Sequence, residues 1–319
     1  MNSALILGVN GQDGSYIADV MLERRCEVTG VGRQAKSRWV DPARFKYVQL
    51  DAADSDALDC LLSGTMPDRI FHMAAVHGPA GYVYEDRWRQ ALALNVASVH
   101  TCLEHMRRRS PLTRLFYPSS VKVFGNPPPA EIDETTPRVS SCLYSITKNA
   151  ATDLIHYYRS RHACWACVSY YFNHDSPRRP ETYFLPRLAA QVAASLRQDA
   201  RAPRVATLDF WCDWGSAREF MELTADLMEL EEPHDVVMAT GRPLYAADLA
   251  RALAASVGAP LPLSGPQSEN TAPTRAQIDG LRRALGRTPR YGALDVAMGI
   301  LADRYAILPR TAQQGTNTL

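Results

Sequence analysis

Short apolar runs alternate with amphipathic stretches along the first half of the chain, and this alternation restricts the fold more than any other feature. Apolar runs of strand length occupy residues 4–7, 27–31, 46–50, 69–73, 114–118 and 166–172. Helical periodicity occupies residues 16–25, 91–108 and 145–161. The pattern is typical of βαβ units, whose right-handed crossovers bring the carboxyl ends of parallel strands to one edge. We therefore predict an α/β fold with a doubly wound parallel sheet and ligand chemistry at that edge.

The second half of the chain has shorter elements. We predict a loop at residues 174–180, a strand at 206–208, and helices at 188–197, 217–230, 246–257 and 294–306. These elements predict a smaller C-terminal α/β substrate domain, residues 174–310, packed over the sheet edge of a domain formed by residues 1–173. We expect part of the chain after residue 173 to return to the first domain. The polar residues 311–319 are predicted to form a flexible tail.

Composition excludes several classes of partner. A hydrophobic fraction of 46% can fill a core, and 35 basic against 34 acidic residues indicate neither a nucleic acid nor a membrane partner. No apolar run approaches the roughly 18 residues of a membrane helix, and no signal peptide is evident, so we expect a cytoplasmic protein.

Seven scattered cysteines predict reduced, mostly buried thiols. Cys164-Trp-Ala-Cys167 has no second cysteine pair, so we favour a structural role and expect no bound metal.

A glycine-rich loop follows the first predicted strand and opens a helix. Its spacing is Gly8-x-x-Gly11-x-x-Gly14. Glycines there allow a tight turn and close approach of the backbone to a pyrophosphate at the helix N-terminus. The loop therefore predicts a Rossmann-type domain that binds a nicotinamide dinucleotide.

The residue after the second predicted strand indicates which dinucleotide is bound. NAD sites usually carry a carboxylate about 20 residues beyond the glycines, where it bonds the ribose hydroxyls. This chain has Arg33 in that region, and a guanidinium suits a 2′-phosphate. We predict NADP, with NAD as the alternative if Arg33 stacks on the adenine or faces water.

A tyrosine and a lysine lie four residues apart at the start of a predicted helix, in the run Tyr144-Ser-Ile-Thr-Lys148. This spacing puts both on one helix face, where the ammonium is expected to favour the phenolate and move its pKa toward neutral pH. Ser120, at the end of the preceding predicted strand, can hold the same substrate oxygen. Together they predict proton transfer at a sugar hydroxyl coupled to hydride exchange.

These residues carry a resemblance to the extended short-chain dehydrogenases/reductases that act on nucleotide sugars. Within that group the chain is most similar to the GDP-mannose 4,6-dehydratases. The matching stretches are Gly11-Gln-Asp-Gly-Ser-Tyr16, Phe172-Asn-His-Asp-Ser-Pro-Arg-Arg179, Asp213-Trp-Gly-Ser-Ala217 and Val237-Met-Ala-Thr-Gly241. The resemblance implies an enzyme with a nucleotide-diphosphate sugar as its substrate, and a homodimer or larger homo-oligomer.

The resemblance also implies roles for individual residues. The catalytic hydroxyl, the acid/base and its partner would be Ser120, Tyr144 and Lys148. The cofactor would be lined by Gly8, Gly11, Gln12, Asp13, Gly14, Arg33, Asp51, Ala74, Tyr144 and Lys148. The substrate side would hold His77, Asn173, Arg179 and Arg187. Asn95 would support the active-site backbone, or else be an ordinary surface or capping asparagine. His77 and His174 are each more readily interpreted as loop hydrogen-bonding residues than as catalytic bases.

Two positions depart from the dehydratase pattern. Lys122 stands where the dehydratases have a glutamate that removes the C5 proton, so either a desolvated Lys122 acts as a neutral base or dehydration is absent. Alternatively, Lys122 points to solvent or to a substrate phosphate. Cys212 stands where relatives have an arginine that contacts the sugar-nucleotide phosphates, which leaves the nucleotide base open.

The favoured hypothesis is an NADP-dependent nucleotide-sugar epimerase that works through a transient keto sugar, with oxidation at C4 and Lys122 as a second acid/base. One alternative is an NADPH-dependent 4-keto-sugar reductase. A second is a 4,6-dehydratase-like lyase. A third is a non-catalytic nucleotide-sugar-binding protein, against which the intact Ser120, Tyr144 and Lys148 argue.

Overall fold

The computed structural model describes residues 2–79, 81–199, 204–260 and 272–310, and the predicted tail at 311–319 lies outside these residues. In chain order the strands are β1 Ser3–Leu7, β2 Glu27–Gly32, β3 Lys46–Gln49, β4 Arg69–His72, β5 Arg114–Ser120, β6 Glu131–Ile132, β7 Ala166–Tyr171, β8 Asn173–Asp175, β9 Trp211–Cys212, β10 Trp214–Ser216, β11 Val236–Met238, β12 Leu244–Tyr245 and β13 Arg275–Ala276. The α-helices are α1 Gln12–Glu23, α2 Ser55–Thr65, α3 Trp88–Leu92, α4 Ser98–Arg108, α5 Leu143–His162, α6 Phe184–Leu196, α7 Ala217–Leu227, α8 Ala246–Val257, α9 Asp279–Leu285 and α10 Ala293–Tyr305.

The main sheet of the described residues has seven strands in the order β11-β7-β5-β4-β1-β2-β3. Every neighbouring pair in it is parallel. The strand order reverses between β1 and β4, which is where ligands bind in sheets of this kind. The prediction of a doubly wound parallel sheet is confirmed.

Helices cover both faces of this sheet. One buried cluster joins the sheet to α2, α4 and α5, and a second joins it to α1, α7 and α9. Coverage on both faces explains why β1 and β7 are almost wholly apolar, since neither face of these strands meets water. The same coverage made the strands recognisable in the sequence.

The chain returns to the main sheet after residue 173. β11 pairs with β7, with Val237 opposite Tyr170, and α7 packs along α1. Residues from both sides of the predicted boundary therefore build the sheet. The division into domains at residues 173 and 174 remains a prediction.

A third buried cluster gathers α6, α8 and α10 around Trp214. The short pairs β8–β10 and β9–β12 lie at its border with the sheet. The predicted strand at residues 206–208 is wrong, because these residues are irregular and the nearest strand is β9. The Thr207 hydroxyl accepts the Asp209 amide at 3.1 Å, a local bond that competes with strand pairing.

The predicted helix at residues 91–108 is divided. α3 ends at Leu92, a π-helical turn covers Ala93–Ala97, and α4 follows. Turns of this kind commonly occur at functional sites. Among the helices of the described residues, none has the length and apolar character needed to cross a bilayer.

Candidate active site

The glycine loop is closed in a way that only glycine allows. Gly8 has φ +86°, and its amide donates to the Val31 carbonyl at 2.9 Å. A Cβ on Gly8 would lie 2.8 Å from the Ala74 backbone, and one on Gly14 would lie 2.2 Å from the Gly8 carbonyl oxygen. Both distances are shorter than van der Waals contact. The loop thus leaves an open cradle before α1 that any larger side chain would fill.

A cavity of about 260 Å³ lies beside this loop, at the ends of β2 and β4. It brings together five of the residues predicted to bind cofactor: Gly8, Gly11, Arg33, Asp51 and Ala74. The Arg33 side chain is exposed at the mouth, and residues 32–36 contain no carboxylate. The Asp51 carboxylate accepts the Ala53 amide at 3.0 Å, so this bond fixes the turn after β3.

Asn10 organises the segment after β2, although sequence reasoning missed it. Its amide nitrogen donates to the Gln34 side chain and to the Lys36 carbonyl, each at 3.0 Å. Its carbonyl oxygen accepts the Arg38 amide at 2.9 Å. One side chain in the glycine loop therefore holds the segment that carries Arg33.

A larger cavity of about 660 Å³ continues from the glycine loop across the ends of β5 and β7. It brings together the remaining predicted site residues: Gln12, Asp13, Gly14, His77, Ser120, Lys122, Tyr144, Lys148, Asn173, Arg179 and Arg187. Gly11, Met73 and Ala75 line both cavities. The two cavities therefore contain all the predicted site residues and meet at the glycine loop.

Ser120, Tyr144 and Lys148 come from two neighbouring elements. Ser120 ends β5 and caps a short 3₁₀ turn, Val121–Val123. Tyr144 and Lys148 lie one turn apart at the start of α5. The Lys148 ammonium donates to the Pro118 carbonyl at 2.7 Å, which ties α5 to the end of β5.

The pKa of Tyr144 does not move in the expected direction. Burial raises the pKa of Tyr144, and the charge of Arg179 and the hydrogen bond with Ser120 only partly oppose this. Burial also lowers the pKa of Lys148 to about 7. Desolvation therefore outweighs the attraction between phenolate and ammonium on which the sequence prediction relied.

Asn95 has the supporting role that the resemblance implied. It is fully buried in the π-helical turn, and its side-chain oxygen accepts the Val76 amide at 2.8 Å. Its side-chain nitrogen donates to the Thr147 hydroxyl at 3.0 Å. Asn95 therefore links the loop after β4 to the helix turn between Tyr144 and Lys148, so it is not an ordinary surface or capping residue.

Lys122 reaches the large cavity from the 3₁₀ turn after β5. Its side chain is exposed, so the desolvation that a neutral amine base would require is absent. Its backbone amide donates to the Ser120 hydroxyl at 3.3 Å. Of the alternatives left open for Lys122, the exposed side chain favours the one in which it faces solvent or a substrate phosphate, and its backbone lies beside the Ser120 hydroxyl.

His77 lies closer to Tyr144 than its sequence position indicated. The two ring centroids are 5.0 Å apart, and His77 Nδ1 is 3.2 Å from the Tyr183 hydroxyl. Burial, followed by the charges of Arg179 and Lys122, lowers the pKa of His77 to about 3. The imidazole is therefore neutral near pH 7.

Asp13 and His174 form an ion pair between the first turn of α1 and β8. His174 Nε2 is 3.0 Å from both Asp13 oxygens, and its Nδ1 is 2.9 Å from the Phe172 carbonyl. Burial opposes the pair, but the Asp13 carboxylate raises the pKa of His174, and His174 lowers that of Asp13. Next to this pair, the Ser176 hydroxyl donates to Gln12 at 2.8 Å. The segment after β7 is thus attached to the glycine loop.

Arg179 supplies positive charge to the large cavity. Its guanidinium lies 3.7 Å above the Tyr183 ring centre, and its Nε is 3.3 Å from the Asp175 carboxylate. Burial raises the pKa of Asp175 to about 6, against the opposing effect of Arg179. The partly buried guanidinium is placed to contact an anionic ligand.

Asn173 and Arg187 also line the large cavity, whereas Cys212 contacts Asn173 and is not among the lining residues. The Asn173 amide nitrogen lies 2.7 Å from the Cys212 sulfur. Arg187 Nε donates to the Glu181 carbonyl at 3.3 Å. Cys212 therefore contacts a residue of the cavity wall. It supplies no positive charge, as expected from the replacement of an arginine by cysteine.

Cys164 and Cys167 are buried free thiols that belong to clusters on opposite faces of the sheet. This arrangement supports a structural role. Across the described ranges, no three His, Cys, Asp or Glu side chains are grouped so that they could hold a metal ion.

A glycine loop at the reversal point of a parallel sheet, joined in one cavity to serine, tyrosine and lysine, defines an extended short-chain dehydrogenase/reductase. The family model for GDP-mannose 4,6 dehydratase matches residues 5–285. The chain belongs to this family, and the family prediction made from the motifs is confirmed.

Curated relatives and solved structures agree with this placement. GDP-mannose 4,6 dehydratase 2 of Caenorhabditis elegans is 28% identical over 82% of this chain and 72% of its own length. UDP-glucose 4-epimerase from Brucella ovis, solved with NAD, has a TM-score of 0.78 at 18% identity, covering 97% of this chain and 100% of its own. dTDP-glucose 4,6-dehydratase from Bacillus anthracis, also solved with NAD, has a TM-score of 0.74 at 14% identity, covering 95% and 98%. One fold thus carries both epimerases and dehydratases, and the prediction of an enzyme is confirmed.

Proposed function

We propose that this protein is an NADP-dependent nucleotide-sugar epimerase, which oxidises its substrate at C4 to a transient ketone and returns hydride after inversion. The observation that carries the proposal is the continuity of the two cavities. Ser120, Tyr144 and Lys148 share the larger cavity with the glycine loop, and the smaller cavity extends from that loop to Arg33.

The residues present fit a nicotinamide dinucleotide. The cradle left by Gly8 and Gly14 suits a pyrophosphate at the N-terminus of α1, because backbone amides there lack helical partners. Arg33 and Asp51 would face the adenosine ribose in the smaller cavity. When bound, the dinucleotide supplies a reversible acceptor for hydride.

Each catalytic side chain has a defined part in handling the substrate proton. Tyr144 would take the proton of the sugar hydroxyl as the C–H bond breaks, and return it in the reverse step. Ser120 would donate a hydrogen bond to the same oxygen. Lys148 is held by the Pro118 carbonyl at 2.7 Å, one helix turn from Tyr144, where a positive charge would favour the phenolate as the proton is transferred.

Lys122 is the reason for preferring epimerisation to dehydration. By resemblance, the dehydratases need a carboxylate at this position to remove the C5 proton. Lys122 is exposed on the cavity wall and offers an ammonium there. An ammonium can donate a proton or contact a phosphate, but it does not replace a carboxylate base.

The substrate we propose is a nucleoside diphosphate sugar. Arg179 and Arg187 line the large cavity and would contact the diphosphate, while His77 and Asn173 would contact the sugar. The names of the family relatives make GDP-linked sugars the first substrates to test. A 4-keto-sugar reductase is the second candidate, and the absence of a carboxylate at residues 32–36 favours it, because NADPH suits net reduction.

A panel of GDP-, ADP-, UDP- and dTDP-sugars tests the proposal directly. Products followed by mass and NMR should show isomerisation with no change in mass. A gain of two hydrogens with consumption of NADPH would establish the reductase, and a loss of water would establish the dehydratase. Absence of any reaction across the panel would remove the proposed catalytic function.

Replacing Arg33 by aspartate should weaken NADP binding. Loss of a charge-assisted contact to the 2′-phosphate is worth about 1.5–3 kcal/mol, or roughly 10- to 150-fold in Kd. Binding of NAD should be unchanged or tighter, and calorimetric titration of both dinucleotides measures the difference. Arg44→Asp, an exposed site before β3, is the matched control. Equal loss of affinity for both cofactors would contradict the NADP prediction.

A further inference from the structure

Epimerisation beside a ketone requires a group that takes a proton from carbon, and most ionisable groups in the large cavity already have partners. Asp13 is bound to His174 at 3.0 Å. Asp175 lies 3.3 Å from Arg179. Both carboxylates are therefore paired with cations, so neither is free to approach a substrate carbon.

His77 is differently placed. Its Nδ1 is 3.2 Å from the Tyr183 hydroxyl and its ring lies nearly parallel to the Tyr183 ring, at 6.0 Å between centroids. No hydrogen bond to Nε2 is found among the residues that the structure describes. The ring lines the large cavity, 5.0 Å from the ring of Tyr144. An imidazole nitrogen is thus free at the end of the cavity where the sugar hydroxyl would meet Tyr144.

We propose that His77 is a second catalytic acid/base, which exchanges the proton on the sugar carbon next to the transient ketone. The inference rests on the proposed function. The C–H proton passes to Nε2, and the electron pair of that bond forms an enolate whose oxygen is held by Tyr144 and Ser120. A proton delivered to the other face of the enolate carbon inverts it, and the Lys122 ammonium is the available donor on the cavity wall.

The charges around His77 favour this role once substrate is bound. Burial is the largest cause of the lowered pKa of His77, and the charges of Arg179, Lys122 and Lys148 add to it, with only Asp13 opposing them. A bound diphosphate brings negative charge to Arg179, which removes part of this effect. The basicity of His77 should therefore rise when the substrate binds, so that His77 becomes a stronger base only when a substrate is present. Tyr183 fixes the ring and can donate to or accept from Nδ1, as either tautomer of His77 requires.

The test measures carbon-bound deuterium in D₂O separately from hydride transfer. His77→Asn retains a group that can bond Tyr183 but cannot accept a proton. We expect it to lower deuterium incorporation by about 10²–10⁴-fold, while first-turnover reduction of the bound cofactor changes only a few-fold. The exposed His234→Asn is the matched control.

A second variant separates a chemical role from a structural one. His77→Ala leaves a gap on the cavity wall. Added imidazole should restore proton exchange in this variant, whereas it should not restore exchange in Tyr144→Phe. Undiminished exchange in His77→Asn, or absence of rescue in a folded His77→Ala, would overturn the proposal. Hydride transfer without exchange in the unaltered protein would also overturn it, while leaving the oxidoreductase core of the proposed function intact. No hydride transfer to or from any sugar nucleotide would instead refute the proposed function itself.

Discussion

Replacing Tyr144 by phenylalanine should lower kcat by about 10²–10⁴-fold, because the substrate hydroxyl loses its proton acceptor. The fold should survive, since the phenyl ring keeps the contact with Tyr84, whose ring centre is 5.6 Å away. Cofactor affinity should change little, because the cradle at Gly8 and Gly14 is untouched. The rates of product formation and of hydride transfer, measured for the variant and the unaltered protein, test this prediction.

Tyr157→Phe is the control for this substitution. Tyr157 lies on the same helix, α5, with 55% of its surface exposed, so removal of its hydroxyl should alter neither kcat nor the melting temperature. If Tyr144→Phe retained full activity while folded, Tyr144 could not be the acid/base.

Replacing Gly14 by alanine should disrupt cofactor binding and the stability of the loop together. The new Cβ would lie 2.2 Å from the Gly8 carbonyl oxygen and 2.9 Å from the Val9 Cα, so the backbone itself must move. Overpacking of this kind destabilises a protein by about 1–3 kcal/mol. We expect a lower melting temperature and at least a tenfold weaker Kd for NADP, measured by thermal unfolding and calorimetry.

Gly64→Ala provides the opposite case. Gly64 lies in α2, and a Cβ there would have no atom within 4 Å. Gly64 is in the last turn of α2, where alanine is favoured over glycine by at most about 0.5–1 kcal/mol, so stability should rise slightly and NADP binding should stay constant. Equal behaviour of the two alanine variants would show that the tight packing of the loop is unimportant.

Six of the seven strands of the main sheet were predictable because they read as apolar runs, and all of these except β3 are mostly buried. β11 was not predicted as a strand. It has only three residues, Val236–Met238, and its partner β7 ends 65 positions earlier, so no local pattern distinguishes it. The strand wrongly predicted at 206–208 is the opposite case. Its local pattern is that of a strand, but these residues pair with no strand among the residues that the structure describes.

The proposed catalytic residues could be grouped from the sequence for a similar reason. Tyr144 and Lys148 are fixed by spacing on one helix, and the glycines by spacing in one loop. The contact between Asp13 and His174 spans 161 positions, and that between His77 and Tyr183 spans 106. Such pairs are set by packing of the whole chain. Neither the direction of the pKa of Tyr144 nor the exposure of Lys122 follows from spacing, because both depend on burial.

The return of the chain through α7 and β11 has a consequence for folding cooperativity. A fragment ending at residue 173 would leave β7 without its outer neighbour and expose the surface of α1 that α7 covers. The packing of α1, whose N-terminus borders the cradle, is therefore not complete until the C-terminal part of the chain has been added. Unfolding should be a single transition in which a ligand in either cavity protects both, with a gain of about 2.7 kcal/mol at a concentration one hundred times its Kd.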